Sequence, residues 1–244
     1  MTSGVYSALS GNIAKMQALE IFTNNLTNAN TFGYKRDRFA FEALLSSADQ
    51  NQKSGGINYT RMQQSFVDFT PGINQRTGGN LDFAINDEGF FKVENEDGEE
   101  FLTRLGKFHL AQDGTLVNSH NMKVLNVEGK PVVIPPDAQN IEVNDKGNVY
   151  ADGTEAGQIG LFNVDDLSKL KKTGGGVFVI APWIRVDPVA TPNIQQGALE
   201  SSNVNIIGEM AQLMDGLRAF EAYQKVMKTY SDIGAKADEL GSVG

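Results

Sequence analysis

Asn205-Ile206-Ile207-Gly208-Glu209-Met210-Ala211-Gln212-Leu213-Met214-Asp215-Gly216-Leu217 opens the stretch whose reading decides the fold. Met210, Leu213, Leu217 and Phe220 recur at helical spacing, and Val226, Tyr230, Ile233, Ala237 and Leu240 continue in steps of four, three, four, three. That pattern predicts one long helix carrying an apolar stripe, the seam geometry of helix pairs. Asn205 is the expected N-cap, Glu209 suits the positive end of the helix dipole, and Gly241 is the expected stop. The other end of the chain answers it. From a start near Thr2 or Ser3, Val5, Leu9, Ile13, Met16, Leu19 and Leu26 recur mostly every three or four residues. Sticky helices at both termini predict a chain built to assemble.

Between the helices the pattern changes to short strands, from about Leu81 to Val186. Phe90, Phe91 and Val93 lead into Asp97-Gly98, then Phe101 and Leu102 follow; Phe108 and Leu110 lead into Asp113-Gly114, then Leu116 and Val117. Asp-Gly between apolar runs predicts hairpins with primed turns, which need positive φ at both central residues. Val132-Val133-Ile134 before Pro135-Pro136, Ile141–Val143, Asn148–Tyr150 and residues 158–162 continue the series. Residues 46–58 are rich in Ser, Gln, Asn and Gly and read as a flexible connection or a surface loop. The fold class predicted is α+β: long N- and C-terminal helices pairing as a coiled coil, with a central, mainly antiparallel β domain. Residues 1–35 and 200–244 are the paired helices, 36–80 an extended linker or loop region, and 81–199 the β domain.

The chain has 244 residues, a formal charge of −9 and no cysteine. The charge argues against a nucleic-acid partner, because phosphate neutralisation needs a basic face. Lys35, Arg36 and Arg38, interrupted by Asp37, read as an ordinary loop. Without cysteine there is no disulfide or thiolate metal site. No stretch approaches the roughly 20 apolar residues of a membrane span, so no membrane insertion is expected. No secretory signal is recognisable in residues 1–30, so if the protein leaves the cytoplasm it is expected to do so without a cleaved leader.

Ordering a residue costs roughly 1–2 kcal/mol of backbone entropy, and burying a Leu-sized side chain returns roughly 1.5–3 kcal/mol. Each terminal helix carries few stripe residues for its length, so a lone two-helix hairpin is marginal. Neighbouring subunits are the expected source of the missing burial. Packing of both helices onto their own β domain stays open as the alternative.

Thr23-Asn24-Asn25-Leu26-Thr27-Asn28-Ala29-Asn30-Thr31-Phe32-Gly33-Tyr34-Lys35 resembles the signature after the first helix of the flagellar rod and hook proteins, with Thr27 where Ala is usual and Tyr34 where Phe is. Gln196-Gly197-Ala198-Leu199-Glu200-Ser201-Ser202-Asn203-Val204-Asn205, continuing to Glu209-Met210 and Arg218-Ala219-Phe220-Glu221, resembles the family's C-terminal block. Leu81–Ile85, Gly89-Phe90-Phe91 and Thr103-Arg104-x-Gly106-x-Phe108 resemble the opening of its β domain. Within the family, the short start Gly4–Ala8 and the chain length are most like the proximal rod component, with the distal rod as rival.

The resemblance implies a structural rod subunit that stacks helically to transmit torque, its helices forming an inner wall and its β domain an outer layer. Implied partners are other proximal and distal rod subunits, copies of the chain itself and the flagellar type III export apparatus. Implied localisation is the basal-body rod across the periplasm.

The candidate assembly residues are Leu9, Ile13, Met16, Asn24, Asn25, Leu26, Asn28, Asn205, Met210, Leu213, Leu217, Arg218, Phe220 and Glu221. The asparagines are expected to satisfy backbone groups at a subunit joint, and Arg218 and Glu221 to make polar contacts between helices, with local caps and a solvent-facing pair as the alternative. No catalytic, cofactor or metal residues are proposed. His109 and His120 lack partners at ligand spacing, Gly174-Gly175-Gly176 lacks the phosphate-loop pattern, and Trp183 reads as core or edge packing. An enzyme and a secreted binding module remain the competing classes; the latter needs an exposed aromatic cluster.

Overall fold

The computed structural model describes residues 2–45 and 58–242, with side chains at 8–40 and 65–236. Helix α1 spans Thr2–Thr27 and α2 spans Ile206–Ser242, continuing past the expected stop at Gly241. The chain divides into two compact units, one of Met1–Thr27, Asp37–Phe66 and Val204–Gly244, the other of Asn28–Arg36 and Val67–Asn203. Among the described residues, no helix is long and apolar enough to cross a membrane.

In the first unit α1 and α2 pack antiparallel. The backbone of Gly11 lies against the Tyr223 ring, and that of Gly216 against Leu19 and Phe22. Asn205 caps α2 as expected: its Oδ1 accepts the Gly208 N–H at 3.0 Å, and its carbonyl accepts the Glu209 N–H at 2.9 Å. Where the sequence reads as extended linker, Asp37–Leu45 and Asn58–Val67 form a two-stranded sheet. The alternation Phe39, Phe41 and the β-favouring run at Asn58–Val67 carry that signal, weakened by the polar stretch between them. Residues 46–57 of the expected flexible connection lie outside the described residues, and Asn58 begins the second strand.

The second unit is mainly β, with a short 3₁₀ helix at Leu167–Lys169, and its strand pairings are antiparallel. Its main sheet has nine strands centred on Phe90–Glu94 and Glu100–Thr103. Strand side chains alternate between faces, and here both faces are covered. Phe91, Val93, Leu161 and Val177 enter one core with Phe108, Leu116 and Ile134. Their neighbours Phe90, Leu102, Phe162 and Phe178 enter a second core on the other side, closed by Phe69, whose ring centroid is 5.6 Å from Phe90 and 5.2 Å from Phe178. This is why Phe90-Phe91 reads as a continuous apolar run.

Both Asp-Gly hairpins form, with a different turn. Gly98 and Gly114 are at φ 82° and 81°, but Asp97 and Asp113 are not at positive φ. Gly98 N–H bonds to the Asn95 carbonyl and Asn95 N–H to the Glu99 carbonyl; Gly114 and Ala111, Asn121 and Asn118, Gly129 and Asn126, and Gly147 and Asn144 repeat the scheme. This is a type I turn followed by a left-handed residue, the three-residue hairpin loop. Asparagine opens most of them because its Oδ1 also accepts two downstream N–H groups, as Asn126 does from Glu128 and Lys130. The primed turn instead occurs at Asp152-Gly153, with φ 48° and 82°.

Val132-Val133-Ile134 is not a full strand. It makes isolated bridges through Pro131 and Val133, yet Val132 links both neighbours, donating to Val124 O and accepting from Leu116 N. The 158–162 segment divides between strands Thr154–Gln158 and Leu161–Val164. Trp183, expected in core or edge packing, is 75% exposed in a turn after Pro182.

Candidate assembly surface

Close approach of α1 and α2 selects small residues for the line where they touch. On α1 the buried positions are Ala8, Gly11, Ala14, Ala18, Phe22 and Asn25. The facing positions of α2 are Glu209, Leu213, Gly216, Phe220, Tyr223 and Met227, each buried or half-buried. Apolar size therefore misleads on α1: the larger residues Leu9, Ile13 and Met16, expected to form the helix-pair seam, lie about half a turn away from α2, at 42–47% exposure. Leu26 is half-buried.

On α2 the expected stripe splits. Leu213 and Phe220 turn inward, while Met210 and Leu217 face out. With Ile206, Ile207 and Met214 they form an exposed apolar flank about a quarter-turn from the α1-facing line. Val226, Tyr230 and Ile233 form a second exposed flank, centred about a quarter-turn to the opposite side. Arg218 and Glu221 are exposed, and among the described residues neither forms an ion pair.

Asn25 is 1% exposed and works inside its own chain. Its Oδ1 accepts the Asp37 N–H at 2.9 Å, its Nδ2 donates to the Asp37 carbonyl at 2.9 Å, and Nδ2 also reaches Glu209 Oε2 at 3.4 Å. One side chain thus ties the end of α1 to the first strand and to the first turn of α2. Asn24 is exposed, and Asn28 accepts the Thr31 N–H at its carbonyl, turning the chain out of the helix.

The second unit holds a cluster that the sequence reading missed. Lys35 Nζ lies 2.5 Å from Glu200 Oε1, Arg104 Nη1 lies 3.4 Å from Glu200 Oε2, and the three side chains are 1%, 5% and 1% exposed. Lys35 Nζ also donates to the Thr70 carbonyl, and Glu200 Oε1 accepts the Gly72 N–H. Burial pushes the Lys35 and Arg104 pKa values down, and the Glu200 carboxylate beside each pulls the other way. Two cations share one anion, and Arg104 Nε has no partner.

Around the cluster the chain segments are stitched tightly. Gly33 N–H bonds to the Glu200 carbonyl at 2.7 Å, Arg36 N–H to Asn203 Oδ1 at 2.8 Å, and Lys172 Nζ sits 3.6 Å over the Tyr34 ring. Arg36 pairs with Asp68, whose carboxyl burial pushes up, but hydrogen bonds from Thr70 and Arg36 outweigh burial and hold it below its usual value. Lys35 looked like solvated loop because it sits in a basic run; the usable signal was that Lys35, Arg104 and Glu200 each lie in a different motif block.

Gly33 is at φ +67°, and a Cβ there would sit 2.5 Å from Leu105 N. A left-handed non-glycine costs roughly 1–2 kcal/mol, and the backbone overlap adds to it. Gly33→Ala should therefore lower the stability of the β unit by about 2–4 kcal/mol, read as a drop in the urea midpoint; an unchanged midpoint refutes the close packing.

His109 and His120 are exposed, the latter with its ring against Gly175. Gly174–Gly176 forms a tight turn in which Gly175 and Gly176 hold positive φ of 78° and 73°.

Comparison with known proteins matches each of these regions. Residues 5–35 match the family described as flagella basal body rod protein, residues 84–151 the flagellar hook protein FlgE/F/G D1 domain, and residues 195–240 the flagellar basal body rod FlgEFG protein C-terminal. Each match contributes one member of the buried cluster: Lys35, Arg104 and Glu200. The chain is 32% identical over 250 residues to the flagellar basal-body rod protein FlgF of Caulobacter vibrioides, covering 100% of both. It is 30% identical over 231 residues to FlgF of Rhizobium meliloti, covering 93% of each, and 29% identical over 256 residues to the rod protein FlgG of Bacillus subtilis, covering 96% of this chain and 97% of that one.

Proposed function

The chain belongs to the flagellar basal-body rod and hook protein family, and from that premise we propose that it is a proximal rod subunit joined to its neighbours through the outward stripes of α1 and α2. As a member it is a structural component of the flagellar basal body rather than an enzyme, and it assembles with other rod components and with copies of itself. One observation carries the assembly reading. Helix α1 buries mainly alanine and glycine against Leu213, Phe220 and Tyr223 of α2, and the pair leaves Leu9, Ile13, Met16, Met210, Met214 and Leu217 outside.

We read the α1–α2 pair itself as a coiled coil, because Glu209, Leu213, Gly216, Phe220, Tyr223 and Met227 on the α1-facing side follow steps of four and three. Within residues 1–35 and 200–244, helices α1 and α2 act as the assembly domain, while Asn28–Lys35 and Glu200–Asn203 belong to the β unit; delivery through the flagellar type III export apparatus accords with a cysteine-free chain. The proximal position is favoured by similarity to FlgF over the full chain; similarity to FlgG keeps the distal rod as second reading. A secreted binding module needs an exposed aromatic cluster, whereas among the described residues Phe83, Phe90, Phe91, Phe108, Phe162 and Phe178 are buried.

Gold labelling of a tagged chain on purified basal bodies is expected to mark the cell-proximal part of the rod. Label confined to the hook end would favour the distal reading, and basal bodies without label would end both.

A further inference from the structure

The first unit carries two outward apolar faces of matching length, and they fit each other. On α1, Leu9, Ile13 and Met16 are spaced by four and three; on α2, Ile207, Met210 and Met214 are spaced by three and four. We propose that the α1 face of one copy packs antiparallel on this α2 flank of a second copy, with Leu9 against Met214, Ile13 against Met210 and Met16 against Ile207. The proposal rests on the assembly reading and names its partner.

Charge favours this occupant and this direction. Helix α1 has only two charged residues, Lys15 and Glu20, and exposed Glu20 continues the outward face four residues beyond Met16. In the antiparallel register Glu20 comes level with about residue 203 of the second copy, just ahead of Ile206, so it faces the positive end of that copy's α2, which favours an anion. In a parallel register with like heptad positions opposed, Glu20 would meet Glu221.

Area favours a polymer over a dimer. Each face offers on the order of a few hundred Å², below the roughly 800 Å² per partner of a stable pair. A single contact therefore leaves the free subunit monomeric, and the contact holds where it is repeated. Because the two faces differ, the contact is heterologous, and contacts of that kind propagate into open helical assemblies when the rotation does not close.

The chain has no native cysteine, so an introduced pair reads the contact cleanly. Within one chain the antiparallel pairing sets Ile13 level with about residue 221 of α2. Met210 is then roughly 16 Å away along the axis, beyond the about 7 Å Cα separation that a disulfide spans. Rods carrying I13C with M210C should give, on mild oxidation, a reducible ladder of dimers and higher multiples. If that pair incorporates poorly, M16C with I207C reads the same register. Incorporated rods with no ladder, or a ladder from I13C with I233C instead, overturn this pairing and leave assembly standing. Absence of the tagged wild-type chain from purified rods overturns the assembly reading itself.

Discussion

Glu200→Ala is expected to destabilise the β unit by about 3–5 kcal/mol, the range for breaking a buried ion pair by removing one partner. Glu200 is the carboxylate paired with both Lys35 and Arg104, and its loss leaves them with only the more distant charges of Asp68 and Glu88. Small-domain stabilities are only about 5–15 kcal/mol, so the variant loses a large share of that margin. Lys35→Met gives the informative contrast. It removes the excess cation, leaves Arg104 with Glu200, and replaces a desolvated ammonium by an apolar chain of similar length, so its cost should be clearly smaller, about 1–3 kcal/mol. Urea unfolding followed by the β signal measures both. If the two variants lose equal stability, or Glu200→Ala loses less than about 1 kcal/mol, the cluster does not carry the weight given to it.

Leu217→Asp is expected to abolish swimming while leaving the subunit folded. Leu217 is 46% exposed on the outward flank of α2. Aspartate there costs the free helix only about half a kcal/mol of propensity. In an assembled rod the same side chain would be taken from water without a partner, which costs several kcal/mol per contact and recurs with every copy. Motility on soft agar reads the assembly and the urea midpoint of the purified chain reads the fold. Leu213→Asp is the companion: Leu213 faces α1, so that variant should lower the midpoint as well. Full swimming by Leu217→Asp would remove the outward flank from the assembly surface.

Much of this was legible in the residues, and the gaps share a cause. Helical spacing located α1 and α2, Asn205 marked the start of the second, and Asp-Gly placed two hairpins. Sequence reading weighs large apolar residues, so it chose Leu9, Ile13 and Met16 for the helix pair when Ala8, Gly11, Ala14 and Ala18 allow the closer approach. It assigned Asp-Gly a primed turn, because the distinction from a type I turn lies in the backbone angle of the aspartate. A salt bridge spanning 165 residues has no local trace. Lys35 looked solvated beside Arg36 and Arg38, and only the fold brings Arg104 and Glu200 to it. Trp183 failed in the opposite sense: nothing in its neighbours announces that it stays in water.

The sheet centred on Phe90–Glu94 and Glu100–Thr103 is packed on both faces by separate sets of aromatic and aliphatic side chains. Packed interiors are barely compressible and hand strain on to their neighbours. A load twisting this unit therefore meets a filled layer whichever way the sheet bends, as in a laminated shaft with no slack ply.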